Sequence, residues 1–201
     1  MKIDLNQIYA QLEEWRVERK IKIKSEKENF LVNVMGELGE LSYALKDHKK
    51  FSQPDYPYVT DIDIAKEEII VTLCWIAIYT IHAGADIPSN LKHSEIELEK
   101  PSLNADYILK QLIEKCAEFA YYDWDEAKCF NIILANCAYL CRHYGYDFKI
   151  AMDETIKEIS SRTGFYDEAR EEWIEDTSWE AQTKWYEADY KTARLHKNKK
   201  G

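Results

Sequence analysis

Glycine and proline are scarce in this chain, six and four residues among 201, so few positions force a helix to end or favour a tight turn. That scarcity predicts long helices joined by short loops. The five cysteines (Cys74, Cys116, Cys129, Cys137 and Cys141) contain no CxxC pair. Their odd number and apolar helical surroundings predict reduced core thiols in a cytoplasmic protein. Cys137, Cys141 and His143 lack the second ligand cluster that a zinc site would need. The longest apolar run, Ile69 to Ala83, is shorter than the roughly 20 residues that span a bilayer. The N-terminal MKIDLNQIYAQLEEW has no apolar signal-peptide core, so no membrane partner is expected.

Acidic charge dominates. The chain carries a net charge of −10, and five of its 27 Lys/Arg fall in the last eleven residues, which leaves residues 1–190 at −15. Such a body repels a long nucleic acid, whereas a small phosphate compound can still bind where divalent cations bridge it to carboxylates.

Apolar residues at spacings of three and four begin with Leu5, Ile8, Leu12 and Trp15, predicting a first helix from about Asp4 to Arg19. Ser25 and Glu28 read as a capping box opening a second helix that runs to about Lys46. Residues 47–60, with Pro54 and Pro57, read as a loop. A third helix is expected from about Ile62 to Gly84, closed by a left-handed glycine cap. Three more follow over residues 104–122, 125–144 and 147–161. The fold class expected is all-α, a helical bundle of two hairpin halves: residues 1–86, a connector over 87–103, and a diverged second half over 104–162. The strings MGELGELSYAL and LIEKCAEFAYY, and HAGADI and HYGYDF, suggest an internal duplication; two unrelated hairpins would give a similar pattern. Residues 163–201 read as an extension pinned by Trp173, Trp179, Trp185 and Tyr186, ending in a disordered basic tail.

The chemistry concentrates in the first half. Glu37 and Glu40 stand three apart among Met35, Leu38 and Leu41, on neighbouring points of one helix face. A carboxylate at the edge of an apolar stripe is costly to ionise unless a cation offsets the cost. Glu67 and Glu68 open the apolar part of the third helix, and an antiparallel hairpin brings Glu68 toward the first pair. Carboxylates on facing helices make the hard oxygen donor set that suits Mg²⁺. Glu67 by itself reads as an ordinary acid near a helix N-terminus.

At these residues the sequence resembles the all-α NTP pyrophosphohydrolase superfamily, which includes MazG-like proteins and the dimeric dUTPases. Its pattern is EExxE, a gap, then ExxD. Here Gly36-Glu37-Leu38-Gly39-Glu40 lacks the leading acid. Aligning from Gly84-Ala85-Asp86 makes Glu68-Ile69-Ile70-Val71 the second element. Aligning on Val71-Thr72-Leu73 puts Glu68 in the Asp position instead. Either way Glu68 is retained and one ligand is lost, for which Asp61, Glu114 or Glu118 could compensate by spacing.

The resemblance implies hydrolysis of a nucleoside triphosphate between its α and β phosphates. Glu37, Glu40 and Glu68 would hold Mg²⁺ or Mn²⁺, and Lys157 and Arg162 would meet the phosphates. Trp75 and Asn136 are available to a base, and a homodimer is possible. The alternatives are a nucleotide-binding relative without turnover and a helical interaction module.

Overall fold

The third helix is the axis around which the chain is built. The structure, a computed structural model, describes residues 2–54, 56, 58–98, 104–121 and 125–195, with the side chains of Ser25 and Val59 outside the description. Helix α3 (Val59–Ala83) has the most apolar sequence of the long helices and is buried along most of its length, including Ile69, Ile70, Leu73, Cys74, Ile76 and Ala77. It packs against α2 (Ile23–Phe51) as a long hairpin and also touches α1 (Asn6–Glu18), α5 (Glu126–His143) and α6 (Phe148–Ser161). Helix α4 (Ala105–Tyr121) forms a second hairpin with α5 and leans on α2. The expected all-α class holds: the strands among the described residues form only two two-stranded sheets.

Helix boundaries depart from the sequence reading where local chemistry intervenes. Helix α2 starts at Ile23, with Lys22 extended at the N-cap and no side-chain cap there, so Ser25 falls inside the first turn and not at the N-cap; its side chain, and with it the expected capping box, lies outside the described residues. The chain reverses one step earlier, at Lys20, whose φ of 54° makes the turn, and the Arg16 guanidinium holds the Ile21 carbonyl at 2.9 Å. At its other end α2 runs on to Phe51, because His48, Lys49 and Lys50 favour the negative end of the helix and the Ser52 hydroxyl donates to the His48 carbonyl at 2.6 Å. Gly84 ends α3 at a φ of −92°, not in the left-handed region. Its missing Cβ serves packing instead: one placed there would lie 2.5 Å from Phe130 Cδ2.

Two antiparallel strand pairs were hidden in segments read as helix, connector or extension. β1 (Lys2–Asp4) pairs with β2 (Glu95–Glu97), matching Ile3 to Ile96. β3 (Gly164–Asp167) pairs with β4 (Glu172–Glu175). The second pair sits on the end of α1, where the Arg19 guanidinium lies between Trp15 and Trp173, 4.7 and 5.2 Å from the ring centroids.

The remaining extension contains the short α7 (Trp179–Gln182), and its outer Trp179 is 74% exposed and anchors nothing. Tyr190 does anchor it: it is buried, with its hydroxyl 2.9 Å from that of Thr155. Basic residues expected to be disordered are docked as far as Leu195. Ala193 is buried, Arg194 bridges to Tyr146, and its guanidinium reaches Asp63 at 3.1 Å and Glu67 at 2.6 Å. Residues 196–201 lie outside the described residues.

Candidate metal and phosphate site

The α2–α3 hairpin places the three motif acids on one flank. Antiparallel packing sets Glu26 of α2 beside His82 of α3, with carboxylate and imidazole 3.6 Å apart. About four turns on, Glu40 and Glu68 share the lining of a depression of about 320 Å³ with Tyr43, Ala44, Val71 and Thr72. Glu37 lies one turn before Glu40, outside that lining, so the expected convergence of three carboxylates in one cleft is met by two. Among the described residues, no three His, Cys, Asp or Glu side chains are grouped closely enough to hold a metal ion.

Glu37 is nonetheless electrically unsettled. Burial pushes its carboxyl pKa up to about 7, and the neighbouring Glu40 adds to the rise. Its Oε2 is buried without a hydrogen-bond partner. A buried acceptor in that condition costs about 1–3 kcal/mol, and a cation beside it would remove the cost. Across the hairpin, Tyr79 is raised to about 12 by burial, then by Glu37 and Glu26, against a smaller opposing effect of Arg162.

Pairing separates the acids into two groups. Asp61 accepts the Tyr56 hydroxyl at 2.7 Å, Glu67 is held by Arg194, and Glu114 and Glu118 both pair with Lys115 at 3.2 and 2.6 Å. The acids that could have replaced a missing ligand are therefore already satisfied. Glu37, Glu40 and Glu68 have no Lys, Arg or His partner among the described residues.

The two phosphate-binding candidates also part company. Arg162, the C-cap of α6, lies 5.5 Å from the Trp75 ring centroid and 5.3 Å from that of Trp185, beside Glu158 at 2.8 Å and Glu175 at 3.6 Å. It packs on the Trp75 side of α3. Its buried Nε has no hydrogen-bond partner. Lys157 instead pairs with Glu154, a buried carboxylate that also accepts the Tyr186 hydroxyl and the Asp189 amide at 3.0 Å. Its ammonium is committed to anchoring the extension, and the structure does not bring it to the acids.

Trp75 is half-buried beside Tyr79, with ring centroids 5.6 Å apart. Asn136 is buried in the core with its Nδ2 unpaired. All five cysteines are free and buried. Tyr79 escaped the sequence reading, although it follows Trp75 by one helical turn and so had to share its face, and Trp185 was read only as an anchor of the extension. No helix among the described residues is long and apolar enough to cross a membrane. No family model, curated protein or solved structure matches this chain.

Proposed function

We propose that the chain is a Mg²⁺-dependent nucleoside triphosphate pyrophosphohydrolase whose site is the Glu37, Glu40 and Glu68 flank of the α2–α3 hairpin. The observation that carries this reading is the pairing pattern: among the described residues, the alternative acids Glu67, Glu114 and Glu118 are paired with cations and Asp61 accepts the Tyr56 hydroxyl, whereas Glu37, Glu40 and Glu68 have neither kind of partner. The orphaned Glu37 Oε2 and an all-oxygen donor set fit a hard divalent cation that keeps several waters and takes its other ligands from phosphate. Glu40 and Glu68 would hold it across the hairpin, with Glu37 as the third carboxylate. A bound Mg²⁺ supplies Lewis-acid polarisation of phosphoryl oxygens.

The chain's own groups do the remainder. One of the three carboxylates would orient the attacking water and accept its proton. Attack at the α phosphorus breaks its bond to the bridging oxygen and releases a monophosphate and pyrophosphate. Arg162, flanked by Trp75 and Trp185, would supply the positive charge that meets the departing phosphates. The buried free thiols suit a reducing compartment such as the cytoplasm.

The test is pyrophosphate release by purified protein from a panel of canonical and modified NTPs with Mg²⁺ or Mn²⁺. Turnover should require the metal and should be lost in Glu40→Gln with the fold intact by circular dichroism. Wild-type rates in that variant would refute the site, and nucleotide binding without turnover would replace the enzyme with a sensor.

A further inference from the structure

On the other flank of α2 lies a second concavity, sharing no lining residue with the acidic depression. It is a groove of about 460 Å³ between the two hairpins. Leu38, Leu41 and Leu45 of α2 form one wall, Leu109 and Ile113 of α4 the other, and Ile69, Leu73 and Leu140 the floor. The floor is apolar, with all three residues buried, whereas Ile113 is 46% exposed. Cavities of this size and lining are the common form of a small-molecule site.

The rim carries a different chemistry. Ser42, Lys46 and Lys49 follow one another at helical spacing along the groove side of α2, joined by His48 and by Tyr144, the C-cap of α5; Asp106 is the one acid in the lining. Neither Lys46 nor Lys49 has a carboxylate partner among the described residues. Cations are favoured near a helix C-terminus, but that preference is met equally well on the solvent side of α2. Two ammonium groups without a carboxylate partner beside an apolar groove, that of Lys46 resting 5.1 Å from the Tyr43 ring centroid, in a chain of net charge −10, complement a ligand with an apolar body and an anionic end.

We propose that this groove binds a small amphipathic anion: an aliphatic or fused-ring body lying on Leu41, Leu45, Leu73 and Leu109, with one carboxylate, sulfonate or phosphate between Lys46 and Lys49. This binding is independent of the acidic flank, so loss of one function leaves the other.

Two fluorescent probes that differ in one charge test it: anilinonaphthalene sulfonate and its uncharged parent, N-phenyl-1-naphthylamine. With the full chain, saturable binding of both is expected, the sulfonate more tightly. Lys46→Glu combined with Lys49→Glu should weaken the sulfonate at least tenfold and leave the neutral probe within twofold. Leu109→Trp, which fills the groove, should abolish both, and decanoate should displace the sulfonate from the unaltered protein. Near-ultraviolet circular dichroism confirms that each variant is folded, and the surface charge reversal stays informative if Leu109→Trp does not fold. Unchanged sulfonate affinity in the charge-reversed protein, or unchanged binding of both probes in folded Leu109→Trp, would overturn the proposal.

Discussion

Replacing Glu37 with glutamine offers a direct measure of how much this buried carboxylate costs the fold without added metal. In the unfolded chain this carboxyl ionises near its ordinary value of 4.5, and in the folded protein only near 7. Between those values the native state holds more protons than the unfolded one, so this group lowers stability as pH rises through the window, and the deficit is complete above about pH 7. Each pH unit of difference is worth about 1.4 kcal/mol. Because the side chain is only half-buried and water screens it, about 1–2 kcal/mol of the full amount survives. Glutamine keeps the shape and never ionises. Any change in hydrogen bonding it brings is independent of pH and cancels when two pH values are compared. Urea unfolding of both proteins in a chelating buffer at pH 4.5 and pH 8 should therefore show Glu37→Gln gaining about 1–2 kcal/mol on the wild type between the first pH and the second. Adding Mg²⁺ at pH 8 should reverse the order, since a ligand at a hundredfold excess over its Kd stabilises only the protein that binds it, by about 2.7 kcal/mol. An identical difference between the proteins at both pH values would refute the buried, uncompensated carboxylate.

Gly84→Ala should destabilise the protein by about 1–3 kcal/mol, since the new methyl meets the buried Phe130 ring at 2.5 Å; thermal unfolding reads this directly. Glu154→Gln should loosen the extension, because the Lys157 ammonium loses its counter-charge and the Tyr186 hydroxyl and Asp189 amide lose a charged acceptor. Faster proteolytic cleavage within residues 176–190, with the helical core intact, is the expected result. Those same partners outweigh the effect of burial and hold the Glu154 pKa below its ordinary value. This anchor is therefore present above the ordinary carboxyl pKa and is lost as pH falls through the lowered one. Glu114→Gln with Glu118→Gln should leave Mg²⁺ affinity and turnover unchanged, because both acids are already paired with Lys115; isothermal titration of metal into this variant checks it.

The helices were legible wherever burial followed a helical period. Leu5, Ile8 and Leu12 are buried as their spacing requires, and so are Leu112, Cys116, Ile133, Cys137 and Leu140 in the second hairpin. Ile113, expected at the same interface, is nearly half exposed on the rim of the open groove. Strands were not legible, because β1 and β2 have three residues each and owe their pairing to a partner far along the chain. A pattern so short has no period to detect. The candidate site was legible as far as local spacing reached: Glu37 and Glu40 on one helix, Glu68 opposite. What decides their chemistry is non-local. Arg194 takes Glu67 and Asp63 from 127 and 131 positions away, and nothing in the acidic string announces that loss. The pairing of Lys157 with Glu154 was hidden for the same reason, since Glu154 is buried against the extension, whose Asp189 amide it accepts.

The pairing of β1 with β2 has a consequence for the order in which the molecule assembles. Lys2 and Glu95, whose side chains meet across this pair, are 93 positions apart, and closing a loop of that length costs about 4 kcal/mol in chain entropy. Two three-residue strands and one exposed ion pair, worth under about 1 kcal/mol, cannot meet that cost alone. The pair must therefore form after α1, α2 and α3 have packed and brought its ends together. It acts as a clasp closed on a finished object, and by the same reasoning it is the first part to open. Amide protons of Ile3 and Ile96 should then exchange with solvent through partial openings well below the global unfolding free energy, while those of Leu73 and Ala77 wait for the whole bundle to come apart.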